Sequence, residues 1–254
     1  MKYDYTPSFY SDEEFFNEYL GRTSYYLKLQ EITKKLISIC KPHEVLELGS
    51  ALGTTVSMLA RTFSSIQFTG VDIREDVVRD AKTKHHDINN LKFECDDMCL
   101  FMDKQAVKYD FIYLLYAFHH ITDPLTNKEK FLSNCYDSMK SGSYLFITET
   151  FLPSKDDEWI DISTLFKARA LEGYSSTYWE ALRSLDDNDI KLAGNIASTS
   201  LKEETYAGIL VENRDSEYLI EFQWLIEICQ EIGFKVVIAE PVNCLNEKAL
   251  LLLR

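Results

Sequence analysis

The sequence contains no stretch of about 18 consecutive apolar residues, the length a membrane-spanning helix requires, so no membrane partner is expected. Its opening residues, MKYDYTPSFYSDEEFF, hold no apolar run of the kind a secretory signal needs; the cytoplasm is the expected location. Cysteine pairs at CxxC spacing are missing too. The six cysteines stand at positions 40, 95, 99, 135, 229 and 244. Cys40, Cys135 and Cys229 fall on apolar periodic faces, which suits buried free thiols in a reducing compartment. Cysteine and histidine do not cluster at ligand spacing, so no metal site is expected. Positive charge is scarce, with 27 Lys and Arg against 41 Asp and Glu, a net of −14. Such a surface repels phosphate backbones and anionic membranes at long range, which argues against a nucleic-acid substrate. There is no internal repeat and no low-complexity tract.

What the chain does have is an alternation of two periods. Residues 12–40 carry apolar side chains at helical spacing, with Gly21 predicted to split them into two helices. After Lys41-Pro42 come a short β-prone run, HEVLELG, and a helix-like run, ALGTTVSMLARTF. The pattern repeats through QFTGVD and EDVVRDAKTKH, LKFEC and DMCLFMDKQAV, YDFIYLLYAF and TNKEKFLSNCYDSM, and ends at the strand SGSYLFITE. Five such units predict an α/β fold, a parallel sheet covered by helices on both faces. Residues 150–220 interrupt the rhythm with helix-like pieces. They hold 14 acidic and 7 basic side chains, half of the chain's net charge. EFQWLIEICQEIG, FKVVIAEP and EKALLLLR then read as a helix and a terminal β-hairpin. The pair His85-His86 reads as an exposed helix end.

The sharpest local signal is VLELGSALGT, residues 45–54. Glu47 stands two residues before Gly49, and Gly53 follows four later. Gly49 allows a tight strand-to-helix turn, and Gly53 permits close approach at the helix start. Asp72 ends the next strand, where an acid can accept both hydroxyls of a ribose held over the sheet's carboxyl edge. A dehydrogenase binding a nicotinamide dinucleotide is the main rival. That fingerprint needs three glycines to approach a pyrophosphate, and an acid just before the turn would repel one.

VLELGSALGT, GVDIRED, FECDDM, YDFIYLLYAFHHI and SGSYLFITET occur in this order at the usual spacings, and together they resemble the class I, Rossmann-like, S-adenosylmethionine (SAM)-dependent methyltransferases. The resemblance covers residues 40–150 and 221–254. It implies a seven-stranded sheet of order 3-2-1-4-5-7-6 with strand 7 antiparallel. It divides the chain into an N-terminal helical cap (1–40), a SAM-binding core (41–150), a helical substrate lid (151–220) and the closing helix and hairpin (221–254). It implies SAM as cofactor and S-adenosylhomocysteine (SAH) as product. Glu47, Gly49, Ser50 and Gly53 would form the loop under the methionine part. Asp72 would hold the ribose and Ile73 would pack on the adenine. Asp96 or Asp97, with Met98, would hold the adenine edge, and Leu115 and Tyr116 would line the sulfonium. Tyr25 or Tyr26 would touch the cofactor's carboxylate end, and Arg22 would pair with that carboxylate. One departure is Ala51, where the loop's middle glycine is usual, so this loop is expected to sit differently.

The acceptor is read from charge. After strand 4 the chain runs LLYAFHH, without the N-P-P-Y turn of enzymes that methylate exocyclic amines of bases and without a Pro-Cys nucleophile. Asp156, Asp157, Glu158, Trp159 and Asp161, followed by Tyr174, Tyr178 and Trp179, put carboxylates beside aromatic faces, which suits a cation. The leading expectation is therefore N-methylation of a small or peptidic cationic amine, as in natural-product biosynthesis. Asp161, Tyr178 and His120 would be catalytic, with Phe16, His119, Trp159 and Asp157 contacting substrate. Methylation of a hydroxyl or carboxylate oxygen with a histidine base is the alternative, and a non-catalytic SAM-binding protein is the third reading. A monomer or homodimer is expected.

Overall fold

A computed structural model of the chain describes residues 24–104, 107–122, 125–151, 220–241 and 247–254. The chain divides into two units, Met1–Ile32 with Leu152–Leu219, and Thr33–Phe151 with Ile220–Arg254. The second unit contains the sheet and is the one described below. Helix α1 (Ser24–Cys40) runs into it, and Lys41-Pro42 separates that helix from β1 (Glu44–Leu48). Then follow α2 (Thr54–Thr62), β2 (Gln67–Asp72), α3 (Glu75–Lys84), β3 (Leu91–Cys95), α4 (Met98–Asp103) and β4 (Tyr109–Leu115). A short 3-10 turn (Phe118–His120) leads to α5 (Leu125–Asp137) and β5 (Met139–Thr150). Helix α6 (Phe222–Ile232), β6 (Lys235–Pro241) and β7 (Glu247–Leu253) close the unit.

The seven strands form one sheet in the order β3-β2-β1-β4-β5-β7-β6. The pairs among β1 to β5 are parallel, and β7 is antiparallel to both of its neighbours. This is the architecture and strand order expected from the sequence. The central strands are buried along their length, as strands covered on both faces must be. Leu46, Leu48, Ile112, Leu114, Leu145, Ile147, Leu250 and Leu252 share one cluster with Phe131, Leu132 and Cys135 of α5 and Leu225 and Cys229 of α6. Alternation along the strands leaves Glu47, Phe111, Tyr113, Phe146 and Thr148 for the other face. Between β1 and β4 the chain order reverses direction across the sheet, and there the carboxyl ends of two neighbouring strands lead away to opposite faces.

Two local readings are corrected. Strand 4 stops at Leu115, earlier than the YDFIYLLYAF run suggested, because Tyr116 turns into the left-handed region at φ 53°. His85 is more than an exposed helix end. It is half-buried, its Nε2 lies 3.2 Å from the Leu52 carbonyl, and its ring stacks on Phe93. Of the cysteines, Cys135 and Cys229 are buried and free, whereas Cys95 is exposed. Among the described residues no helix is long and apolar enough to cross a membrane.

Candidate cofactor and acceptor site

The turn between β1 and α2 is held almost entirely by backbone. The N–H groups of Gly49 and Ser50 both donate to the Val71 carbonyl at 2.9 Å, and Gly53 N–H donates to Ser50 O at 2.8 Å. Gly49 and Gly53 adopt φ 76° and 73°. A Cβ at Gly49 would stand 2.4 Å from the Ala117 Cβ, and one at Gly53 would stand 2.4 Å from the Phe93 ring. Both positions thus require glycine twice over, for conformation and for space. Ala51 also lies in the left-handed region, at φ 45°. It takes the conformation a glycine would take, at a cost of about 1 kcal/mol. Its N–H donates to Asp72 Oδ2 at 2.8 Å, which locks the turn to β2.

Asp72 therefore has a structural task as well as an open face. Oδ1 accepts the Arg74 N–H at 3.0 Å, and each oxygen keeps a further lone pair for a ribose hydroxyl. Burial raises its pKa, against the hydrogen bonds from the Arg74 and Ala51 amides. Glu47 is 3% exposed, and its Oε2 has no hydrogen-bond partner. Burial pushes its pKa up to about 8; hydrogen bonds from Tyr113 and the Val56 amide oppose this, and the charge of Asp72 adds to it. Ser50 Oγ is likewise buried without a partner. Orphaned acceptors beneath an open turn are seats for a donor from outside the chain, and a cationic amino-acid end fits Glu47. Gly53 gives α2 no side-chain cap and the first turn holds no acid, so the positive end of that helix suits a carboxylate. These features fit the amino-acid end of SAM better than a pyrophosphate.

The adenine end is more mixed. Ile73 is 55% exposed. Asp97 caps α4, its Oδ1 accepting the Cys99 and Leu100 amides at 2.8 and 3.1 Å. Asp96 binds the Asp97 amide and pairs with Lys104 at 3.1 Å. Met98 packs against the core cluster.

Beyond β4, Leu115 is buried and the Tyr116 N–H donates to Thr148 O at 2.9 Å. Ala117 presses on Gly49, so the turn that follows abuts the cofactor loop directly. Within that turn His119 makes two bonds to one carboxylate. Its N–H donates to Glu149 Oε2 at 3.1 Å and its Nδ1 lies 2.9 Å from Oε1. Glu149 is 2% exposed. An ionised carboxylate only accepts, so Nδ1 carries the proton and Nε2 keeps its lone pair. The His120 ring lies 4.0 Å from that of His119 and reaches solvent. Even so, desolvation, with His119 and Lys128 close by, pushes it well below the usual imidazole range.

The structure thus gathers Glu47, Gly49, Ser50, Gly53, Asp72, Leu115, Tyr116, His119 and His120 along the carboxyl edge of the sheet. Tyr25 lies on α1 in the other unit. Phe16, Arg22, Asp157, Trp159, Asp161 and Tyr178 lie outside the described residues. Sequence reasoning missed Glu149, Ala117 and Lys128. Glu149 bears the signal that found Glu47 and Asp72, an acid at the end of an apolar strand. Ala117 and Lys128 bear no such mark.

The strand order and the glycine turn define a class I, Rossmann-like domain of the methyltransferase type. Residues 46–145 match the model of a methyltransferase domain. A carboxy-S-adenosyl-L-methionine synthase of Helicobacter pylori is 24% identical over 63% of this chain and 65% of its own length. The match spans a little less than two thirds of that relative. Among solved structures, magnesium protoporphyrin IX methyltransferase of Synechocystis with bound SAH superposes with a TM-score of 0.56. It has 14% identity, over 91% of this chain and 84% of that one. An O-methyltransferase family protein of Burkholderia thailandensis gives 0.57 at 12% identity, over 97% and 62%. At these identities the likeness is one of fold.

Proposed function

We propose that this chain is a SAM-dependent methyltransferase acting on a small molecule. The observation that carries this reading is the turn at Gly49–Gly53, closed on Val71 and Asp72, with the unpartnered Glu47 Oε2 beneath it. Bound SAM supplies an electrophilic methyl group on a sulfonium. The chain's own part is to hold the ammonium at Glu47, the carboxylate at the start of α2 and the ribose at Asp72, and to align an acceptor. The test is incubation with SAM and a panel of phenols, carboxylic acids and amines, read by mass spectrometry for methylated product and SAH. SAM converted to a heavier sulfonium with no SAH released would oppose the reading. The name of the Helicobacter relatives makes that arm worth measuring.

The described site favours an oxygen acceptor. A hydroxyl must lose its proton as the methyl arrives, and an imidazole backed by a buried carboxylate is suited to take it. His119 Nε2 is that group, in a turn that touches the cofactor loop through Ala117. His119 thus replaces His120 as our candidate base, since Glu149 backs its Nδ1 while His120 has a depressed affinity for protons. A second reading, N-methylation of a cationic amine, is supported by the acidic and aromatic run from Asp156 to Asp161. There Asp157 and Trp159 would bind the cation, and Asp161 and Tyr178 would orient it. Asp161→Asn should then keep SAM affinity and lose turnover with amines; normal turnover with amines opposes that role.

A further inference from the structure

The turn that cradles the cofactor is gripped from outside by a side chain other than Asp72. His85 follows α3, half-buried, with its ring stacked on Phe93 at 6.0 Å between centroids. Its Nε2 lies 3.2 Å from the Leu52 carbonyl. A carbonyl only accepts, so Nε2 carries the proton. Leu52 C=O and Gly53 N–H belong to one planar peptide, whose trans geometry points them in opposite directions. The N–H donates to Ser50 O at 2.8 Å, and the C=O meets His85. A partner at each pole stops that peptide from rotating. Gly53 follows it at φ 73° and ψ 20°, and its carbonyl accepts the Ser57 N–H at 2.9 Å, so the setting of this peptide aims the first turn of α2. The rest of the loop between α3 and β3 holds the far end of the same helix. Asp87 accepts from both terminal nitrogens of Arg61 at 2.7 and 2.8 Å. Asn90 Nδ2 lies within 3.1 Å of the carbonyls of Ala60, Phe63 and Ile66. The loop is itself fixed, by Ile88 N–H on His85 O at 3.1 Å and by Phe68 N–H of β2 on Asn90 O at 2.8 Å. It therefore grips α2 at both ends, and His85 takes the end next to the cradle.

We infer that His85 is a positioning residue for the cofactor's amino-acid arm: by holding the Leu52–Gly53 peptide it aims the positive end of α2 at the SAM carboxylate. The inference rests on the reading of this turn as the SAM site. Glu47 Oε2 and Ser50 Oγ, buried without partners beneath the turn, mark the same place as the seat of that arm. His85 acts through the main chain of Leu52 and Gly53. The nucleoside end of the ligand lies against Asp72 on β2, which the imidazole does not hold. Loss of the His85 bond should therefore be felt by the arm and spare the nucleoside.

His85→Phe keeps a ring on Phe93 and removes the donor. His85→Gln places an amide N–H as many bonds from Cα as Nε2 is, and restores it. His85→Asn, whose amide ends one bond short, removes the contact without adding an apolar ring. The probes are SAH and methylthioadenosine, which shares the nucleoside and the thioether and lacks the amino-acid arm. In calorimetry on the full chain, His85→Phe and His85→Asn should bind SAH on the order of tenfold more weakly than wild type, since a carbonyl in a buried turn loses its donor. Both should bind methylthioadenosine as wild type does, and His85→Gln should recover most of the SAH affinity. Equal losses for the two ligands would overturn the inference, since a general loosening of the cradle would then explain them. Unchanged SAH affinity in His85→Phe and His85→Asn would overturn it too, and so would a His85→Gln protein as weak as these. A wild type that binds neither SAM nor SAH would instead remove the reading on which the inference rests.

Discussion

The two ends of the candidate site are built from different materials. At the β1–β2 edge the cradle is mostly main chain: three residues with positive φ, amides closed on Val71, and one carboxylate that ties the turn to β2. At the β4–β5 edge the work falls to side chains, with His119 on Glu149 and Lys128 on the turn between them. A main-chain cradle reads a constant ligand, since every residue type offers the same amides. A side-chain constellation can change with the acceptor while the cradle stays. The contrast is sharpest where the two ends meet, at Gly49 against Ala117.

Breaking that contact should have the largest effect. Gly49→Val adds a branched side chain at φ 76°, where a Cβ already meets the Ala117 Cβ at 2.4 Å. Stability should fall by about 3 kcal/mol or more, with loss of SAM binding, as read by urea melts and calorimetry. A mutation confined to the other end should separate binding from chemistry. His119→Gln should lower kcat about a hundred- to ten-thousand-fold with an oxygen acceptor and leave SAM affinity unchanged. If affinity falls in step with kcat, the two ends are not separable.

The cradle should also respond to pH through Glu47, whose pKa in the folded chain lies at about 8. The unfolded value is about 4.3, so between these the folded protein holds the extra proton. Stability should therefore be greatest below the lower value, decline as pH rises through the window, and level off above about 8. Glu47→Gln should flatten this part of the profile in melts from pH 5 to pH 8, and a slope unchanged by the substitution would contradict the assignment. The smallest effect is expected at Ala51, where Ala51→Gly relieves the left-handed strain at φ 45° but loosens the unfolded chain. The net change should be within about 1 kcal/mol, with SAM affinity retained.

The same contrast governs what was legible in the sequence. The strand order followed from alternating periods, and the cradle from Glu47, Gly49, Gly53 and Asp72, because these residues lie within one β–α–β unit whose spacing is fixed by strand and helix length. His119 and Glu149 are 30 residues apart and meet only because β4 and β5 pair in register, Leu115 with Thr148. Their partnership has no local spacing to betray it. Choosing between two adjacent histidines needed the position of a carboxylate on another strand. Lys128 was hidden for a further reason, since a lysine in TNKEKFLSNCYDSM reads as solvated until the packing of α5 buries it. Ala51 stands at positive φ with its amide held by Asp72, a partner on another strand that no local spacing reveals.

The central claim is that the Gly49–Gly53 turn with Asp72 receives SAM. Isothermal titration calorimetry of the full chain with SAM, SAH and NAD, on wild type and Asp72→Asn, tests it directly. The account predicts saturable heat with SAM and SAH, weakened in Asp72→Asn, and none with NAD. Heat with NAD and none with SAM would contradict it.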